Sequence, residues 1–383
     1  MNVSIMLGNR KLVLDTHCEV YNLIKPWSDT DFWDFKTHDI IPGAIYVIGR
    51  KQFLENVSTI RKLISNATIK VIFSNPAEGS ETIRDHCVRI YGVDDLVKAK
   101  QILLIGGGDM DDEWPCLQYD SFLPKLFDYE ENLNASLVYS VANCSNRPYK
   151  FLFLNGRARP HRKYLLERFK HNGLLNQAIW TNLDSSPVTT DSLSFLKDGH
   201  ELLGRPFPIT YLDPKYEVKT YHAGIKKPNG TNFVKHTLFD NDWGEAYLYA
   251  EAYTDTYFSV VTETVYSYPY SFRTEKIWKP ILIGHPFIAV ANRGYYRDLH
   301  RLGFRTFGKL IDETFDQIDN DQQRIERTAA VIEDLCQQDL DSFLSGAKEV
   351  CKYNQQHLAD LRQKVRGEFP TRFLEFVKQH INE

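Results

Sequence analysis

Apolar residues in the first ~145 positions fall into short runs separated by stretches of helical spacing. Ala44-Ile-Tyr-Val-Ile-Gly49 is an unbroken run of strand length, and residues 51–65 follow it with apolar positions three and four apart. Ile69-Lys-Val-Ile-Phe-Ser74 repeats the strand pattern and leads into the loop Asn75-Pro-Ala-Glu-Gly-Ser80. A further helix, the apolar run Val88-Arg-Ile-Tyr91, a short helix near 94–99 and the strand Gln101-Ile-Leu-Leu-Ile105 complete this stretch. The pattern restarts after 125–147. Tyr149-Lys-Phe-Leu-Phe-Leu154 reads as a strand, with a loop to Pro160 and a helix to about 171. Residues 182–245 are rich in Pro, Gly, Ser, Thr and Asp and show no period. Order returns with the strand Tyr257–Val261, a helix over about 274–283 stopped by Gly284, and the strand Pro286–Val290. From about 320 the chain reads as helical, with Leu340, Phe343, Leu344, Ala347, Cys351, Leu358 and Leu361 on one stripe. Repeated β-α-β units of this kind predict α/β architecture, with parallel sheets and helices on both faces.

Composition narrows the class without naming it. The 383 residues are 43% hydrophobic and 25% charged, which excludes collagen-like, disordered and disulfide-scaffold chains. A net charge of -4 argues against a general nucleic-acid coat and leaves room only for a local basic patch. No secretory leader and no run of the ~18 apolar residues a spanning helix needs are visible, so no membrane span and a cytoplasmic location are expected. The six cysteines are scattered with no CxxC pair, which fits reduced thiols.

Gly106-Gly-Gly-Asp109-Met-Asp111-Asp112 follows a strand but is neither a dinucleotide fingerprint nor a phosphate loop. Its Asp-x-Asp pattern recurs at Asp29, Asp240, Asp319 and Asp339, so it reads as an acidic turn and no metal site is expected. The loop Asn155-Gly-Arg157-Ala-Arg159-Pro160-His161-Arg162 is more telling. It clusters arginines at a predicted helix start, where the dipole disfavours cations unless an anion lies between. The other reading of this loop is a solvated basic surface. The strongest segment runs from 257 to 307. There a strand ends at Thr262-Glu263-Thr264, and an aromatic loop with Tyr266, Tyr268, Tyr270 and Phe272 leads to Arg273-Thr274-Glu275-Lys276. Thr274 suits the N-cap of the next helix and Glu275 its first turn; Lys276 does not, and so invites an anion. None of the 12 histidines forms an HExxH or HxxxH pair and no GxSxG occurs, which removes zinc and serine hydrolases.

This order of strand, Glu-containing loop, Thr-Glu-Lys helix start, Gly-x-Pro and strand resembles the donor-binding region of fucosyltransferase-like GT-B glycosyltransferases. The likeness covers about 50 residues, with weaker support from 149–171. Similar segments occur in uncharacterised viral and bacterial sugar transferases. It departs from fucosyltransferases at Glu263-Thr264-Val265, where they carry Glu-Asn-Ser, so fucose is not implied as the sugar.

The resemblance implies two Rossmann-like domains with a C-terminal helical tail. An acceptor domain would span 1–147, a donor domain 148–319, and a tail over 320–383 would pack back across both. It implies Glu275 on the ribose, Lys276 on the diphosphate, and one of Arg157, Arg159 or Arg162 completing the clamp. Glu263, Tyr270, Arg273 and Thr274 complete the expected donor site. It also implies an N-terminal carboxylate as general base, for which Glu78 is the first candidate and Asp109, with Asp111 and Asp112, the reserve. The expected partners are a nucleotide-diphosphate sugar, as co-substrate with no cofactor or metal, and a glycan or other hydroxyl acceptor. Two alternatives stay open: transfer to a hydroxymethylated DNA base, and a non-catalytic nucleotide- or glycan-binding protein.

Overall fold

A computed structural model describes residues 10–15, 18–27, 35, 38–110, 113–123, 145–155, 159–182, 220–226, 232–236 and 250–381. The chain divides into two units, Met1–Pro124 with Leu361–Glu383, and Lys125–Asp360.

In the first unit the elements are β1 (Leu12–Leu14), α1 (Tyr21–Ile24), β2 (Ile45–Gly49), α2 (Arg50–Ser65), β3 (Lys70–Gly79), α3 (Ser80–His86), α4 (Asp94–Lys98), β4 (Ile102–Gly107) and β5 (Cys116–Gln118). The five strands pair in parallel in chain order, β1-β2-β3-β4-β5. The two crossovers that lead from β2 to β3 and from β3 to β4 step the same way, and right-handed connections of that kind lay their helices on one face. Accordingly Tyr46, Ile48, Val71, Phe73, Ile102 and Leu104 pack under α2, α3 and α4 with Phe53, Ile60, Ile83 and Val97. The alternate strand positions, Leu12, Leu14, Ile45, Val47, Ile72, Leu103 and Ile105, point to the other face. That face is covered by Cys18, Val20 and Ile24 around α1, and by a stripe from far along the chain: Phe369, Phe373, Leu374, Phe376 and Val377.

The second unit holds β6 (Tyr149–Asn155), α5 (Pro160–His171), β7 (Ala178–Asn182), the antiparallel pair β8 (Thr220–Lys226) and β9 (Asn232–His236), α6 (Ala250–Thr254), β10 (Thr256–Thr262), α7 (Glu275–Ile283), β11 (Phe287–Val290), α8 (Tyr295–Arg301) and α9 (Asp321–Leu335). Its parallel sheet runs β11-β10-β6-β7. The chain therefore builds outward from β6 in one direction, returns, and builds outward in the other. Phe151, Phe153 and Phe258 on the strands meet Phe169 of α5 and Phe343 at ring-centroid distances of 5.5–6.2 Å. Arg168 of α5 grips Glu333 of α9 with two hydrogen bonds of 2.6 and 2.8 Å.

The last helix, α10 (Leu340–Ile381), is 42 residues long with Pro370 inside it. Its residues to 360 belong to the second unit and those from 361 to the first. The two parallel sheets are Rossmann-like, as the hydrophobic pattern suggests, and a long C-terminal helix follows them. Three details differ from the pattern. The strands β1 and β5, of three residues each, are too short to leave a period. The run Val88–Tyr91 lies in a π-helical turn, Cys87–Tyr91, that exposes Val88 and Ile90 and buries Cys87 and Tyr91. The loop expected over 75–80 is instead the end of β3, where the register with β4 slips between Asn75 and Gly79.

Candidate functional site

In the second sheet, strand order reverses between β6 and β10, and ligands of open α/β sheets bind beyond the carboxyl ends of such a pair. The two ends are tied together by the Thr262 hydroxyl donating to Asn155 Oδ1 at 2.8 Å. One residue on, Glu263 is fully buried, and its carboxylate accepts four hydrogen bonds. Oε1 takes the Thr274 N–H at 3.2 Å and the Tyr295 hydroxyl at 2.9 Å. Oε2 takes the Thr274 hydroxyl at 2.8 Å and the Thr264 N–H at 3.3 Å. A carboxylate has about four lone-pair sites, so this one is saturated by the protein. Its work is to pin the start of α7 to the end of β10 rather than to touch a ligand.

Thr274 is the N-cap of α7, its hydroxyl accepting from the Lys276 N–H at 3.4 Å. Gly284 ends the helix in the left-handed region at φ 69°, where a Cβ would also meet the Gln355 side chain at 2.8 Å. The Lys276 ammonium folds back over the first turn, 2.7 Å from Glu275 Oε1, 3.1 Å from the Thr274 hydroxyl and 3.4 Å from that of Thr264. The cation is therefore not alone with the dipole, as its position in the sequence suggests; Glu275 offsets it. Burial pushes the Glu275 carboxyl up, but the Lys276 and Lys279 ammoniums and the Lys276 hydrogen bond pull harder, and the net shift is downward. The side chains of Glu275 and Lys276 keep 13% and 25% exposure, so a ligand can reach both by exchanging partners with them.

On the β6 side, Pro160 opens α5 at its first turn and Arg159 is the N-cap. Arg159 is half-buried, and its Nε makes no hydrogen bond among the described residues. Arg162 is buried and turned to the protein, donating to the carbonyls of Thr262 and Glu263 at 2.9 and 3.1 Å. Arg157 lies outside the described residues. Tyr270 is half-buried on the aromatic loop, and Arg273 is buried directly before the cap.

Three residues of this arrangement are not among the expected donor-site residues. Tyr295 completes the Glu263 cage. His161 donates from Nε2 to the Glu263 carbonyl at 2.9 Å and stacks on Tyr266 with ring centroids 5.1 Å apart. Arg324 of α9 lies 4.4 Å from the Tyr266 ring and donates to its carbonyl at 2.9 Å. Burial, followed by the adjacent Arg162 guanidinium, holds the His161 imidazole well below its ordinary value, so it is neutral.

In the first unit, Glu78 sits on the displaced end of β3 with its carboxylate 3.5 Å from Arg50, the first residue of α2. Asp109 follows Gly108, which takes φ 75° at the end of β4. Asp111 and Asp112 lie outside the described residues. The glycines before Asp109 have a packing reason: a Cβ at Gly106 would meet the Ser80 hydroxyl at 2.6 Å, and that hydroxyl donates to the Gly107 carbonyl at 2.9 Å. Among the described residues no group of three or more His, Cys, Asp or Glu is placed to hold a metal ion. No helix among them is long and apolar enough to cross a membrane. The described cysteines, Cys18, Cys87, Cys116, Cys336 and Cys351, are free thiols, and burial pushes Cys18, Cys87, Cys336 and Cys351 up to about 12. No protein-family model matches the chain, and no curated protein matches its sequence.

Proposed function

We propose that this chain is a GT-B glycosyltransferase that moves a sugar from a nucleoside-diphosphate donor to an acceptor hydroxyl, with inversion and without a metal. The observation that carries the reading is the Glu275–Lys276 pair at the capped start of α7, beside the strand-order reversal. A nucleoside diphosphate offers partners for both members of that pair. Ribose hydroxyls donate to Glu275 as the diphosphate oxygens accept from Lys276. Arg159, at the N-cap of α5, supplies a second cation, and the dipoles of α5 and α7 add to both.

On this reading the acceptor hydroxyl gives its proton to Glu78 as its oxygen attacks the anomeric carbon. The bond from that carbon to the diphosphate oxygen breaks, and the charge left there is met by Lys276, Arg159 and helix N-termini already in place. Chelation with EDTA then leaves transfer intact. Loss of transfer, restored by manganese, would give the leaving-group role to a metal near Asp109.

The deciding experiment is a panel of UDP-, GDP-, CMP- and TDP-sugars scored for thermal stabilisation and nucleotide release. A donor at a hundred-fold excess over its dissociation constant stabilises the fold by ~2.7 kcal/mol. The expected result is stabilisation by one base class in the wild type and its loss in Lys276→Ala. If every donor leaves the melting temperature unchanged and releases no nucleotide, the reading is wrong.

A further inference from the structure

Beside the register slip between Asn75 and Gly79, the first unit has an open cavity of about 480 Å³. Its size lies within the range of small-molecule sites. Its walls include Glu19, Arg50, Lys51, Ser74, Asn75 and Glu78. Two independent features of this wall call for an acceptor-rich ligand.

One is the start of α2, a 16-residue helix whose first two residues are Arg50 and Lys51 and whose first turn contains no acidic residue. Its N-cap is Gly49, which has no side chain to accept from the N–H groups that every helix start leaves over. The Asp15 carboxylate reaches only the residue before the helix, accepting from the Gly49 N–H at 2.9 Å. The other is Asn75, only 5% exposed, whose buried side-chain Nδ2 has no hydrogen-bond partner among the described residues. A buried amide donor left without an acceptor costs about 1–3 kcal/mol, so its retention at a cavity wall points to an acceptor brought by a ligand. The opposite part of the wall behaves differently. Glu78, 3.5 Å from Arg50, and the exposed Glu19 are acceptors suited to hydroxyls.

We infer that this cavity binds an acidic sugar. Its oxyanion lies at the start of α2 and on the Asn75 amide, with a ring hydroxyl at Glu78. The shared chemistry is a polyhydroxylated oxyanion, which a sugar phosphate and a uronic acid both provide. This inference rests on the reading of Glu78 as the base that deprotonates the acceptor, and it adds the acceptor's class.

The test is calorimetry on the full chain with glucose 6-phosphate, glucuronic acid, glucose and inorganic phosphate. Both acids are expected to bind at least tenfold more tightly than glucose, and whichever is tighter identifies the oxyanion. A hydrogen bond to a charged group predicts that Asn75→Leu weakens the acids by about 10- to 150-fold and leaves glucose unchanged. The exposed Lys51→Gln should weaken them by about 2- to 5-fold with the fold intact, and it decides the matter if Asn75→Leu does not fold. Equal affinity for glucose and the acids overturns the inference, as do acid affinities unmoved by either substitution. A nucleoside diphosphate in the same cells separates the two readings. Acid binding without nucleotide binding leaves the cavity assignment standing and removes the transferase. Nucleotide binding with transfer to neutral sugars, unaffected by Lys51→Gln, does the reverse.

Discussion

The two parallel sheets of this chain open their carboxyl edges in different ways. In the second unit the order β11-β10-β6-β7 sends the chain away from β6 and β10 in opposite directions, so the loops after these strands part by topology alone. The residues around Glu263 then fix the parted loops with a dense set of hydrogen bonds. In the first unit the order β1-β2-β3-β4-β5 has no such reversal. There the opening is local, beside the displaced end of β3, where the Asn75 side-chain amide has no partner among the described residues and Glu78 faces Arg50. An opening made by topology can be rigid and fully satisfied. One made by a bulge keeps loose partners, and it is the loose partners that are available to bind or to move a proton.

Substitutions in the two openings should therefore separate chemistry from stability. The largest effect is expected for Glu78→Gln, which keeps size and removes the proton acceptor. Turnover should fall by roughly 10²–10⁴-fold with donor affinity and melting temperature nearly unchanged. Steady-state kinetics with unchanged turnover would pass the role to Asp109. Glu263→Ala should do the opposite. It leaves the four donors that converge on that carboxylate buried without an acceptor, and stability should fall by about 3 kcal/mol in denaturant unfolding of the second unit. A loss under 1 kcal/mol would mean the cage is not holding the loop. Lys276→Ala lies between the two, weakening nucleoside-diphosphate binding by about 10- to 150-fold with little change in stability. Wild-type affinity measured by calorimetry would make the Thr-Glu-Lys likeness a coincidence.

The smallest effect is a pH slope. His161 is held below its ordinary value in the folded chain, whereas the unfolded chain takes up a proton below about pH 6.5. Its contribution is complete above that pH and is lost as the pH falls, by roughly 2 kcal/mol at pH 5. His161→Gln, which retains a donor for the Glu263 carbonyl, should lose that part of the slope in melts of the second unit between pH 7 and 5. An unchanged slope would clear His161.

What could be read from the sequence follows the range of the forces involved. The α/β class and the cap at Thr274 rest on residues a few positions apart, and spacing displays them. So does Pro160 in the first turn of α5. The Glu263 cage joins residues 11 and 32 positions apart, and His161 reaches it across 102, so no local pattern marks them. Arg162 and Arg159 look alike in the basic loop; only the backbone direction into α5 turns one to the protein and leaves the other half-buried. The pairing of Lys276 with Glu275 was within reach, since the two are adjacent, but adjacent residues on a helix usually diverge. Here the lysine bends back over the first turn to meet its neighbour. The bulge at Asn75 had no signal beyond Pro76, which also fits an ordinary loop.

The division of α10 between the units sets an order of assembly on the ribosome. Residues 125–360 are continuous, so the whole second unit is synthesised before the segment from Leu361 onward that belongs to the first. The first unit is made earlier yet finishes later. The face of its sheet that carries Leu14, Val47, Leu103 and Ile105 lacks part of its cover until Phe369, Phe373 and Val377 emerge. For more than two hundred residues of synthesis, the nascent chain carries a half-covered sheet whose missing layer is still to be translated, a surface open to chaperones or to self-association.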